Sequence, residues 1–408
     1  MVLVCSNQKA KNSTLMVGAS SATINPEAGA FIAGDKHDRH FTGIHDSLFV
    51  KSIVVSNADN HFAILTFDCI GMLHPTLVEI RKAVALRIPV SQFDPNHIVM
   101  ASTHTHSGPD VVGIWGAEQT SSGVDSVYMK ELVKTAVDVL VAAWTNRQEV
   151  SVYTAETTFG NDWVYNISEP EELDRSVSIL QFKDRNKNSV ATLTNFACHP
   201  TILDGASTLV SSDYVAGFYK QLNHTIGGEN LFLQGAIGGW VQPEHEEKSF
   251  DRAYQRGNEL GKVVIDGLEK ASHKTKDTKI LFKSTVFQLP VSNPGFQQLS
   301  ALGVIKRTIT DSVQTEIAWF SLGEAQFVTH PGETVPAYSL QSKALMKLNG
   351  PKFVIGLGMD ALGYILKPTF FNPADSLPHA EYLTGMSIDK EAGPLLMKHI
   401  TKLSVSRE

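Results

Sequence analysis

Three times along this chain a short apolar run stops on a side chain able to bind a metal, with proline or glycine beside it. Ile98 to Ala101 runs into Thr103-His104-Thr105-His106-Ser107-Gly108-Pro109. Asn195-Phe196-Ala197-Cys198 runs into His199-Pro200, and Val328-Thr329-His330 runs into Pro331-Gly332-Glu333. Short apolar runs bounded by turn residues read as buried strands, and proline and glycine turn the chain where each strand stops. Ligand-type residues at several strand ends are what a site gathered along one sheet edge requires. Taken singly, each has an ordinary alternative: a histidine capped inside a core, or a glutamate solvated in a loop. The repetition favours a shared site.

Around these runs strand and helix signals alternate, which predicts an α/β fold. Phe62 to Phe67 reads as a buried strand ending at Asp68, and helix signals start at Pro75 with Leu77, Ile80 and Val84 on one face. Further strands are expected near 177–182, 190–196, 231–233, 317–321, 325–329 and 352–356. Met129, Leu132, Val133, Ala136, Val137, Leu140, Val141 and Trp144 follow the helical period and predict a helix over about 127–146. A second long helix is expected over 249–270. Residues 1–14 read as a leader or tether, and 15–408 as one domain.

Composition narrows the function classes. Of 408 residues 42% are hydrophobic and 19% charged, enough for a large core, and the net charge of -7 comes without a basic stripe for nucleic acid. No apolar run approaches the roughly 20 residues of a spanning helix. Three distant cysteines, Cys5, Cys69 and Cys198, do not make a disulfide framework. Cys5 follows Met1-Val2-Leu3-Val4 and precedes a polar stretch, like the stub of a lipoprotein signal; the alternative is a frayed terminus. The first reading predicts a periplasmic or extracellular protein anchored through Cys5.

His104 and His106 lie two apart, so a continuing strand would turn both imidazoles to one side. Asp68, at a strand end, is a candidate to orient a ligand histidine through its second ring nitrogen. His45-Asp46 is a second such pair or a surface turn, and Tyr364, after the glycine-rich stretch from Gly356, reads by itself as a core aromatic.

At these positions the sequence resembles the neutral/alkaline non-lysosomal ceramidase family. The matching stretches are THTHSGP at 103–109, GIHDSL at 43–48, NFACHPT at 195–201, PGE at 331–333 and GLGMDALGY at 356–364, with weaker matches at 17–26 and 380–387. The resemblance covers about residues 15 to 400 and implies a mixed β-sheet metallohydrolase domain flanked by helices. It implies one zinc ion held by His104, His199, Glu333 and Tyr364, with His106 facing the substrate and Tyr382 at the reacting carbonyl. Two departures stand out. The family's serine-bearing GDVSP-like segment is replaced by Gly235 to Pro243, which has no serine and carries Gly239-Trp240, and the arginine expected after Asn166 is Ile167. The metal machinery is kept while the substrate-reading groups around Asn166, Gly239 and Trp240 change; Trp115 and Trp163 are further candidates to shape the pocket.

The expected function is therefore zinc-dependent hydrolysis of an amide in a small or lipid-like substrate, in which zinc activates water, His106 moves protons and Tyr382 stabilises the oxyanion. The competing readings are an esterase or lactonase on the same centre, and a tethered binding protein without catalysis.

Overall fold

The structure is a computed structural model that describes residues 14–58, 60–244 and 246–406; Cys5 and the expected leader through residue 13 lie outside the described residues. Three larger sheets form the framework among the described residues. The first runs in the order Ile98–Ser102, His61–Phe67, Phe49–Ser56, Met16–Thr23, Gln148–Glu149. The second runs Glu229–Gln234, Ser189–Phe196, Ser176–Lys183, Ser151–Thr158, His273–Lys274. The third runs Ile280–Pro290, Ser312–Leu322, Ala325–Thr329, Lys352–Ile355. The expected α/β class and all the strands named from the sequence are found within these sheets.

Each sheet is mixed, and each keeps its one parallel pair at an edge. These pairs are His61–Phe67 with Ile98–Ser102, Ser189–Phe196 with Glu229–Gln234, and Ala325–Thr329 with Lys352–Ile355. Parallel partners finish at the same end, so each pair delivers two loops side by side. The second and third edges meet at buried Asn195, whose amide donates to the carbonyls of Leu233, Gln234 and Val354 at 2.9, 3.2 and 3.0 Å and whose oxygen accepts from Val354 N at 3.0 Å. Gly356 N donates to Gln234 O and Met359 N to Met100 O, which ties the third sheet to the other two. Six strand ends therefore converge on one place.

Helices cover the outer faces. Ser126–Thr145 starts at Asp125, whose carboxylate accepts from Val127 N and Tyr128 N, and it lays Leu132, Ala136, Leu140 and Ala143 on the first sheet. Phe250–Lys270 is capped by Ser249 and crosses Tyr214–Thr225 over the second sheet. That crossing needs Gly257, because a Cβ there would run into the Tyr214 carbonyl. Ala392–Val405 packs on the third sheet. No helix of the described residues is long and apolar enough to cross a membrane.

Candidate metal centre

The loops from the three parallel edges carry the candidate ligands. His104 follows Ile98–Ser102, but the strand does not continue to His106 as the spacing suggested: His104 takes a left-handed φ of 71°. A turn, not the pleat, brings the two rings together, their centroids 4.9 Å apart. The same turn packs His106 against Gly34, where a Cβ would stand 2.5 Å from Nδ1.

Two backbone carbonyls set the histidine tautomers. His104 Nδ1 lies 2.5 Å from Ile70 O, and His199 Nδ1 lies 2.8 Å from Val241 O. A carbonyl oxygen only accepts, so each Nδ1 carries a proton, and in the neutral ring each Nε2 keeps a lone pair. Glu333 comes from the turn after Ala325–Thr329 and pairs directly with Tyr364 in a two-residue parallel ladder. Its Oε2 stands 3.0 Å from His199 Nε2 and 3.5 Å from His104 Nε2, and the Tyr364 hydroxyl hydrogen-bonds the same carboxylate.

With both rings neutral, three acceptor atoms face one another. Protonating a ring would relieve the contact, but burial pushes His104 down to about 3 against the pull of Glu333. Burial, and then the Glu333 charge, pushes the Tyr364 phenol well above its ordinary value. The ion-pair partners of Glu333 among the described residues are the two histidines, with no lysine or arginine. Two imidazole nitrogens, a carboxylate and a phenol oxygen are a donor set that fits zinc. His106 stands at the same centre: its Nε2 is 3.3 Å from His104 Nε2, and the ring nitrogens of His104, His106 and His199 lie within 4.8 Å of one another. Burial pushes His106 down to about 3, so its ring is neutral near pH 7.

Beside these residues opens a cleft. Ile70, Val112, Ile114, Phe296 and Ile305 make an apolar wall, while His106, Tyr364 and Tyr382 present polar atoms.

A family model described as neutral/alkaline non-lysosomal ceramidase, N-terminal, matches residues 17–223. The chain belongs to that family, a family of hydrolases. Neutral ceramidase B of Dictyostelium discoideum is 28% identical over 145 residues, 30% of this chain and 20% of that protein, so the match spans one fifth of the relative. The crystal structure of neutral ceramidase from Pseudomonas aeruginosa has a TM-score of 0.75 at 16% identity, over 96% of this chain and 74% of that one. A ceramidase complexed with C2 has a TM-score of 0.76 at 15% identity, over 96% and 75%. At such identities these two structures establish the shared ceramidase fold.

Within this ceramidase-family fold several candidate residues stand elsewhere than expected. Asp68 does not orient a ligand histidine, because the Ile70 carbonyl takes that role; Asp68 accepts from Phe49 N and Tyr219 OH instead. His45 stacks on Phe250 at 3.6 Å and faces Asp46, which in turn binds Ser211 and so braces the loop holding Ser107. Asn166 is buried and spends its amide on Glu172 O and Glu169 N, so it is a loop brace without a free group for substrate. Gly239, at φ 78°, packs against Asn166, and neither it nor Trp240 lines the cleft. Trp163 is fully buried among Phe159, Phe196 and Tyr214 as a core residue, whereas Trp115 lines the cleft. Tyr382 is 53% exposed at the cleft mouth, its ring 6.5 Å from that of Tyr364. The Ile70 and Val241 carbonyls escaped the sequence reading, since every residue owns a carbonyl and no side-chain type marks these two.

Proposed function

We propose that this chain is a zinc-dependent amidohydrolase acting on N-acyl amides. The observation that carries the reading is the convergence of His104 Nε2 and His199 Nε2 on one buried oxygen of Glu333, at 3.5 and 3.0 Å. Tyr364 completes the ligand set. When bound, zinc supplies a charge that polarises a carbonyl and lowers the pKa of water to roughly 7.

The chain's own residues do the rest. The Ile70 and Val241 carbonyls hold the two ligand rings in the tautomer that aims Nε2 inward. His106, neutral and beside His104, is placed to accept a proton from attacking water and return it to the leaving amine. Tyr382 offers its hydroxyl to the developing oxyanion from the cleft mouth. The apolar wall formed by Ile70, Val112 and Phe296 suits an acyl chain and keeps bulk water away. An N-acyl amide is supported further by the family and by the similar ceramidase complexed with C2.

Elemental analysis of protein purified without chelator should find about one zinc per chain. His199→Ala should lose both the metal and the turnover of an N-acyl amide. A His199→Ala protein with full activity overturns the reading, as does a wild type that takes up no zinc. Turnover of a matched ester but not of the amide would move the assignment to an esterase.

A further inference from the structure

We propose that Trp240 is a positioning residue for the metal centre, its indole N–H fixing the oxygen of Tyr364; this rests on the zinc reading of the site. Trp240 Nε1 donates to Tyr364 OH at 2.7 Å. An indole nitrogen is donor only, so it cannot compete for the phenol proton or bind the ion itself. It can only occupy one lone pair of the phenol oxygen and leave the rest of that oxygen directed at Glu333 and the centre.

Trp240 is held for this contact. Its φ is 61°, a backbone conformation that bulky side chains seldom adopt. The ring lies between His379, at 4.5 Å, and Tyr382, at 5.3 Å. The backbone is pinned on both sides, with Ile167 N on Trp240 O and Ser168 N on Gly239 O.

The segment around Trp240 extends the same logic to the other ligands while contributing none itself. The Gln234 amide donates to Thr103 O and Cys198 O, the residues just before His104 and His199, at 3.0 and 2.8 Å. Gly238 N donates to the carbonyl of Thr334, next to Glu333, and Val241 O receives His199 Nδ1. Gln234 to Val241 therefore clasps all four ligand segments, and the Trp240 indole is the part of the clasp that reaches a ligand atom by a side chain.

The test is Trp240→Phe, which keeps an aromatic ring against His379 and Tyr382 and removes only the N–H donor, with Trp240→Leu beside it to remove the ring as well. Zinc affinity is read by competition with a chromophoric chelator, and kcat and KM are measured on one N-acyl amide. Loss of a group orienting a ligand lowers metal affinity by about 10- to 100-fold. Trp240→Phe should weaken zinc binding by that factor and lower kcat with KM little changed, and Trp240→Leu should weaken zinc no further. Zinc affinity in Trp240→Phe equal to that of the wild type overturns the proposal, and a loss confined to Trp240→Leu shows that the ring only packs. A wild type that binds no zinc removes the metal reading itself, which separates that failure from this one.

Discussion

Among the described residues two glutamates, Glu316 and Glu333, are buried beside histidines, and they have opposite surroundings. Glu316 is gripped by Arg81, with Nη1 to Oε2 at 2.6 Å and Nη2 to Oε1 at 3.1 Å, and His74 Nε2 stands 3.2 Å away. Next to it Asp360 accepts from Arg307, Thr315, His74 N and Ala361 N. Every charge in that cluster is met by a protein cation or a donor, and the cluster locks the helix His74–Ala85 to the third sheet. Glu333 is buried too, but its partners are two imidazoles and a phenol. Where the chain supplies its own cation it builds a latch. Where it supplies none, the acceptors are left for the cation that the proposed function calls for.

The contrast can be broken at several points. Arg81→Met should be the most damaging, because it strands the buried Glu316 charge; breaking a buried pair costs roughly 3–5 kcal/mol. Chemical denaturation should register that loss, and a variant within experimental error of the wild type would show that the latch is not a charge pair at all. His106→Ala tests the third histidine of the centre. Zinc content should stay near one per chain while turnover falls by roughly 10²-fold or more; loss of zinc would make His106 a ligand instead of a proton carrier.

Glu333→Gln sharpens the comparison directly. In metal-free protein the amide can donate to a histidine lone pair, so the variant should be as stable as the wild type or more stable, by roughly 0–2 kcal/mol, while it loses zinc. Marked destabilisation of the metal-free variant would mean that Glu333 holds the fold as Glu316 does.

The smallest effect is expected at His61, whose Nε2 accepts from Asp94 N at 2.6 Å. Burial holds His61 down to about 4 from 6.5. The unfolded chain therefore takes up this proton first as pH falls, and stability contributed above pH 6.5 is lost between 6.5 and about 4. The ring is partly open to solvent, which leaves a contribution on the order of 1 kcal/mol. His61→Gln in metal-free protein should flatten the stability curve across that window; an unchanged slope would remove His61 as its source.

These contrasts also show which parts of the molecule sequence reasoning can reach. The pattern of strand, then turn, then histidine or glutamate at His104, His199 and Glu333 was legible because apolar runs and Pro or Gly stops act locally. The helices Ser126–Thr145 and Phe250–Lys270 were legible for the same reason, their period being written in neighbouring residues. Tyr364 by itself read as a core aromatic; it becomes a ligand candidate through its ladder pairing with Glu333, 31 positions earlier. Asp68 illustrates the opposite error. A carboxylate at a strand end has the right chemistry to orient a histidine, but the Ile70 carbonyl two residues on occupies that direction.

By itself the sequence determined the residue types that stand at strand ends and the turns that stop those strands, because hydrophobic patterning and backbone restriction operate within a few residues. Only the tertiary structure decided that three parallel edges from three sheets point their ends at one centre, that two main-chain carbonyls choose the histidine tautomers, and that an indole from a segment without ligands reaches Tyr364. Those outcomes depend on packing between segments far apart in the chain, where the direction of a lone pair or an N–H is set by geometry and not by residue type.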